Sequence, residues 1–232
     1  MILFCLDTSG PVAGVALMQD GAVRYEAMAV NKFTHSQSIL PMTEEAFDKT
    51  GLQIGDVDYF AVTVGPGSFT GVRIGVSTVK ALAHAQDKPC IAVDALEAMA
   101  KGAALFDGIL CPIQDARAGQ VYGAAFWGMT GDRLLPDAPM KLEAYIAAVS
   151  PLGEKMLFLG DGMPVHRDRV QALLGERAVF APPHLAYLRP AAAAALAWEK
   201  REEAVDYRHL SPLYLRPPQA ERQKNLKERS NA

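Results

Sequence analysis

Ile2-Leu3-Phe4-Cys5-Leu6-Asp7-Thr8-Ser9-Gly10-Pro11 opens the chain. An apolar run stopped by an aspartate and a Thr-Ser-Gly-Pro turn predicts a buried strand with a carboxylate at its end. Residues 12–18 (VAGVALM) predict a second strand, Asp20-Gly21 a hairpin turn, and 22–30 a third strand. A helix follows from about Thr34 to Thr50. A strand from Tyr59 to Val64 then ends at the glycine-rich segment 65–75 (GPGSFTGVRIG), which opens a helix running to about Gln86. The order then returns. Residues 109–113 (ILCPI) predict a strand closed by Asp115, Gln120–Trp127 the next, and Gly131-Asp132 a hairpin turn. A helix near 141–149, a strand at 156–159 (MLFL), the turn Gly160-Asp161-Gly162 and a helix near 164–174 complete the second half. A repeat of roughly 100 residues is too long for a solenoid and predicts a duplicated domain.

This order predicts an α/β chain of two mixed-sheet lobes flanking a cleft. That is the actin/hexokinase/Hsp70-like (ASKHA, ribonuclease H-like) duplication, with a truncated second lobe. The expected boundaries are 1–105 for the first lobe and 106–188 for the second. A helix near 189–202 is expected to pack back onto the first lobe, and 217–232 to form a mobile basic tail. The chain has 232 residues, 50% hydrophobic and 21% charged, enough to bury a substantial core. No apolar run approaches the roughly 18 residues of a membrane helix, and Asp7 interrupts the opening run before a signal-peptide core forms. A cytoplasmic protein without membrane attachment is expected. Cys5, Cys90 and Cys111 lie singly in apolar runs, as buried free thiols do. The net charge of −3 argues against a surface that holds nucleic acid by counterion release. The one basic cluster is in the tail, where Arg222, Lys224, Lys227 and Arg229 crowd around Glu228.

Leu6-Asp7-Thr8-Ser9, the segment Val64 to Gly75, Asp115-Ala116-Arg117 before a Val-Tyr strand, Gly160-Asp161-Gly162 and the closing Pro212-Leu213-Tyr214-Leu215-Arg216 together resemble the TsaB family, formerly YeaZ. The resemblance implies an actin-like paralogue of the catalytic subunit TsaD. The two pair through their first lobes, and a TsaE-like ATPase joins them. The complex transfers a threonylcarbamoyl group to the adenosine beside the anticodon of tRNAs reading codons that begin with A. In that picture the TsaB subunit has no transfer activity, needs no cofactor, forms a homodimer when alone and meets tRNA only through the complex.

The residues themselves also bear on catalysis. TsaD-like proteins hold a metal with two histidines four apart on a helix, a spacing that puts both rings on one face. Here His35, His84, His166, His184 and His209 are scattered, and Ile39 stands where a partner of His35 is needed. No metal site is expected. The glycine segment is neither a Walker loop, since Gly71 is followed by Val72-Arg73, nor a dinucleotide fingerprint, since position 70 is Thr70. Its helix start can receive an anion. Alternatively, Gly65 and Gly67 serve a tight turn and Gly71 and Gly75 close packing. Asp7 and Asp115 equally suit a ligand role or the capping of their own turns. A vestigial nucleotide cleft formed by Asp7, Thr8, Ser9, Gly65, Gly67, Asp115, Arg117, Gly160, Asp161 and Gly162 is the expectation. The alternative is a stand-alone kinase or ATPase of the same fold.

Helical geometry points to a partner surface. On the helix 72–86, Arg73, Ser77, Lys80 and His84 gather in a polar arc of about 60°, leaving an apolar arc of roughly 220° where one sheet needs little more than about 100°. Ile74, Ala81 and Ala85 mark one edge of that arc, and Val72, Val76, Val79 and Ala83 the other. The preceding helix likewise sets His35, Ile39, Leu40, Met42, Thr43, Ala46 and Phe47 on one broad side. The two helices can pack on each other, or share a bundle with a partner, with Gly71 and Gly75 admitting a close helix. The expected interface residues are Ile39, Leu40, Met42, Thr43, Phe47, Gly71, Val72, Gly75, Val76 and Val79.

Overall fold

The computed structural model describes residues 1–30 and 33–216; the basic tail expected over 217–232 lies outside them. The chain builds one sheet architecture twice. In the first lobe β1 (Ile2–Asp7), β2 (Ala13–Gln19), β3 (Ala22–Ala29), β4 (Tyr59–Gly65) and β5 (Cys90–Asp94) lie in the order β3-β2-β1-β4-β5. In the second, β6 (Ile109–Arg117), β7 (Gln120–Trp127), β8 (Arg133–Lys141), β9 (Met156–Leu159) and β10 (Ala178–Phe180) give β8-β7-β6-β9-β10, the same arrangement. The first hairpin of each lobe is antiparallel, and the later strands add in parallel, with Leu6 opposite Val62 in one lobe and Cys111 opposite Phe158 in the other. A centrally placed strand is covered on both faces, so it is apolar at every position rather than at alternate ones. That is why residues 2–6 and 109–113 are uninterrupted hydrophobic runs.

Among the described residues six α-helices cover the sheets. The helices α1 (His35–Thr50) and α2 (Phe69–Gln86) share a core with the outer face of the first sheet through Phe4, Leu6, Val15, Ile39, Ala46, Val72, Val76 and Val79. The helices α4 (Leu142–Val149) and α5 (Met163–Leu174) do the same for the second sheet with Tyr145, Val149, Phe158 and Val170. Between the sheets lie α3 (Ala95–Gly102) and α6 (Pro190–Glu199), whose small residues Ala98, Ala100, Ala193, Ala194 and Ala197 meet Leu3, Ala16, Leu110 and Phe126. The alanine content of α6 thus reflects a helix squeezed between layers. The second half keeps its five strands; its shortening falls on helices, because α6 packs against β1 and β2 of the first sheet. Arg189 at its start pairs with Glu26 of β3, and Glu26 also accepts the Ala191 N–H at 3.0 Å, satisfying a donor of the first turn.

Helix ends follow their sequences. The Thr34 N–H donates to Gln37 Oε1 at the start of α1, and Gly51, in the left-handed region, donates to the Phe47 carbonyl at its end. Ser68 accepts the Gly71 N–H in α2, and Asp94 accepts the Glu97 N–H in α3. After α6 the chain forms a strap, residues 205–216, across the outside of α2. Val205 bridges to Cys90, the Leu210 side chain is buried, and the Leu213 N–H donates to the Val64 carbonyl at 2.7 Å. The three cysteines are free and buried.

Candidate functional site

The cleft between the lobes holds about 710 Å³ and is floored by the turns after β1 and β6. In the first turn the Asp7 carboxylate is turned inward. Its Oδ1 accepts from the Ser9 N–H at 3.0 Å, the Ser9 hydroxyl at 2.7 Å and the Thr63 hydroxyl, while Oδ2 is buried without a partner. Burial pushes the Asp7 carboxyl up, against the pull of these hydrogen bonds. Thr8 turns away from the cleft and donates to the Gly71 carbonyl at 2.8 Å. In the second turn Asp115 Oδ1 accepts the Arg117 N–H at 2.9 Å, and His166 Nε2 lies 3.8 Å away. Both aspartates therefore accept the backbone N–H two residues on in their own turns.

The glycine segment is locked onto the first turn. Ser68 N–H donates to the Ser9 carbonyl at 2.7 Å, and a Cβ at Gly67 would fall inside the Ser9 carbonyl. One at Gly71 would overlap the Thr8 carbonyl, and one at Gly75 the Thr8 hydroxyl. The glycines of α2 thus admit the chain's own β1 turn rather than a second helix. Gly65, with φ +119°, lies under the Leu213 carbonyl of the strap.

Asp7, Ser9, Gly67, Asp115, Arg117 and Asp161 converge on the cleft and its floor, whereas Thr8, Gly65 and Gly162 do not line it. Gly160 instead borders an apolar pocket of about 340 Å³ with Phe158, Phe180 and Arg167. Three contributors escape a sequence reading. Gln114 is fully buried with both amide atoms unpartnered, His166 is buried beside Asp115, and Leu213 to Arg216 of the strap form one wall. Arg216 crosses to the second lobe and donates to the Ala116 carbonyl at 3.2 Å. Gln114 adjoins Asp115, and residues 213–216 belong to the closing Pro212-Leu213-Tyr214-Leu215-Arg216 motif, but neither carries a mark of the cleft; the place of His166 depends on long-range packing. Asp161 is pushed up to about 6, first by burial and then by the neighbouring Asp115 and Asp7. The floor is therefore a desolvated, acid-rich pocket with Arg117, Arg216 and His35 at its mouth. Among the described residues no group of three or more His, Cys, Asp or Glu is placed to hold a metal ion.

The candidate partner surface needs correction. Gly71, Val72, Gly75, Val76 and Val79 are buried against the chain's own first sheet, and Ile39 and Thr43 against the same core. Phe47 stacks on Phe4 with ring centroids 5.8 Å apart, and Met42 is half-buried beside it. Leu40 alone of the expected set is exposed, at 50%. The polar arc of α2 carries the strap along part of its surface, while Arg73, Ser77 and His84 stay exposed. Tyr214 stacks on Phe69 and accepts from Arg73, Lys80 donates to the Leu210 carbonyl at 3.1 Å, and Tyr207 packs on His84. The outward edge of α2 is Thr70, Ser77, Ala81 and Ala85, with Ile74 half-buried among them.

Two mixed five-stranded sheets of one topology, each ending its first strand in an aspartate-bearing turn at a shared cleft, define an actin-like duplicated fold. The comparisons with known proteins agree with that class. The chain belongs to the TsaB (YeaZ) family. A family model described as "TsaD: tRNA N6-adenosine threonylcarbamoyltransferase" matches residues 30–224. The tRNA threonylcarbamoyladenosine biosynthesis protein TsaB of Bacillus subtilis is 34% identical over 95% of this chain and 96% of its own length. The Escherichia coli protein of that name is 38% identical over 54% of this chain and 55% of its own. A solved structure of YeaZ from Pseudomonas aeruginosa, 28% identical, superimposes with a TM-score of 0.73 over 92% of this chain and 99% of that one. No helix among the described residues is long and apolar enough to cross a membrane.

Proposed function

We propose that this chain is the non-catalytic partner subunit of a cytoplasmic complex that places a threonylcarbamoyl group on the adenosine next to the anticodon of tRNAs reading codons beginning with A. The observation that carries the reading is full-length similarity to a protein named for that biosynthesis, in a family whose model is the transferase itself. The site supports a non-catalytic role. The first-lobe turn and the glycine segment are bonded to each other, Ser68 N–H to the Ser9 carbonyl and the Thr8 hydroxyl to the Gly71 carbonyl, and the Asp7 carboxylate is turned inward onto Ser9 and Thr63 rather than toward a bound phosphate. A TsaD-like catalytic subunit is the partner, a TsaE-like ATPase joins the pair, and the chain forms a homodimer when alone. It meets tRNA only within the complex. The partner surface runs along the outward edges of α1 and α2, through Leu40, Pro41, Ile74, Ala81 and Ala85. The test is reconstitution of the modification from purified subunits with this chain present or omitted. Full modification without it, or transfer by this chain alone, overturns the proposal.

A further inference from the structure

The seam between the lobes carries a charged cluster remote in sequence from the cleft turns. Asp94 ends β5 and Glu97 lies in the first turn of α3, both in the first lobe; Arg133 and Asp137 lie on β8 of the second. Arg133 reaches across. One guanidinium nitrogen meets Glu97 Oε2 at 3.1 Å and Asp94 Oδ2 at 3.4 Å, and the other meets Asp137. The Arg133 guanidinium also lies over the Phe126 ring, 4.6 Å from its centroid. Lys200, after α6, completes the cluster by pairing with Glu97 at 2.8 Å, while Lys101 is engaged with Glu199 at 2.6 Å.

Three carboxyls, of Asp94, Glu97 and Asp137, thus face two cations, Arg133 and Lys200. Fully ionised, the cluster keeps one uncompensated negative charge in a partly dry seam, which is costly. The Asp137 side chain is only 8% exposed, and its Oδ2 is buried with no donor to satisfy it. Asp94 and Asp137 meet the two terminal nitrogens of the one Arg133 guanidinium, and an acceptor left orphaned near a second carboxyl is satisfied when one proton lies between the two, as in a carboxylate dyad.

We infer that Asp94 and Asp137 share one proton across the seam, so that the lobes are held by a proton-dependent clasp. One proton brings the cluster to neutrality and turns a repulsive contact between lobes into a hydrogen bond. Burial, followed by the Asp94 carboxyl, pushes Asp137 up to about 8, in the direction that geometry requires. The sign follows from linkage. A carboxyl that holds its proton more tightly folded than unfolded contributes its full stabilisation below the ordinary carboxylate range, and loses it as pH rises through the folded value. The clasp therefore loosens from weakly acid to alkaline pH, in a range where ordinary carboxyls no longer titrate.

The experiment is thermal melting of the full chain from about pH 6.5 to about pH 9, above the Asp161 transition, with infrared detection of the protonated carboxyl. Wild type is expected to lose roughly 4 °C or more of Tm across that range, together with the protonated-carboxyl band. Asp137→Asn carries an amide donor in place of the shared proton. It is expected to melt independently of pH over the same range, above wild type at the alkaline end and without the band. Asp94→Asn retains the helix cap, since asparagine caps as aspartate does, and serves as the second variant if the first fails to fold. A flat wild-type profile, or a fall that persists with the band in a folded variant, overturns the inference.

Discussion

At the scale of single residues, glycine and aspartate carry the cleft. Gly71 is glycine because the Thr8 carbonyl lies where a side chain would start, and a backbone oxygen moves aside only if its whole turn shifts. Gly71→Ala is expected to cost about 2–3 kcal/mol through overpacking, read as a fall of roughly 5–10 °C in Tm. Asp161 is a buried acid whose charged form is disfavoured. Its stabilisation is present below the ordinary carboxylate range and lost as pH rises through about 6. Asp161→Asn is accordingly expected to melt above wild type at neutral pH and to lose the pH dependence between about 4 and about 6. The cleft turns were legible in the sequence because aspartate and glycine at strand ends have few uses. The purpose of Gly71 and Gly75 was not, because a small residue on a helix looks the same whether it admits a partner or the chain's own turn.

At the scale of elements, α2 has three faces where periodicity distinguishes two. Its valine edge meets the sheet, the strap packs along Arg73, Lys80 and His84, and the edge of Ser77, Ala81 and Ala85 is left outward. Val76→Glu buries an unpaired carboxylate in the first-lobe core, at an expected cost of about 3–5 kcal/mol, and should abolish soluble folded protein. Ala81→Glu should keep the wild-type melting profile and lose association with a TsaD-like subunit, measured by pull-down. An Ala81→Glu variant that still associates excludes this edge. Helical periodicity made α1 legible to within a residue and α2 to its last residue, although α2 starts at Phe69, three residues before the expected 72. The strand β8 was not, since Pro136 and Pro139 interrupt its pattern, as an edge strand tolerates. The strap has no periodic signal at all: its contacts are made one residue at a time.

At the scale of the whole molecule, the duplication was legible because each lobe repeats an apolar run, an aspartate turn and a glycine turn in one order. The crossing of the second half back over the first was legible only as an apolar terminal helix. Ending the chain after Ala204 removes buried Leu210 and the Leu213 bond to Val64, and is expected to cost at least the 2–5 kcal/mol typical of one core leucine. Ending it after Arg216 is expected to leave Tm unchanged, because the residues beyond carry little apolar surface. That architecture has a consequence for synthesis. The inner face of the first sheet is roofed by α6, and the outer face of α2 by the strap. Both roofs follow the second-lobe strands in the sequence. At roughly 5–20 residues per second, the nascent first lobe waits on the order of 5–25 s for its closing pieces after β5 has been translated. During that interval its apolar inner face is open to whatever binds growing chains at the ribosome. The first lobe thus finishes folding only after the strands of the second have been translated.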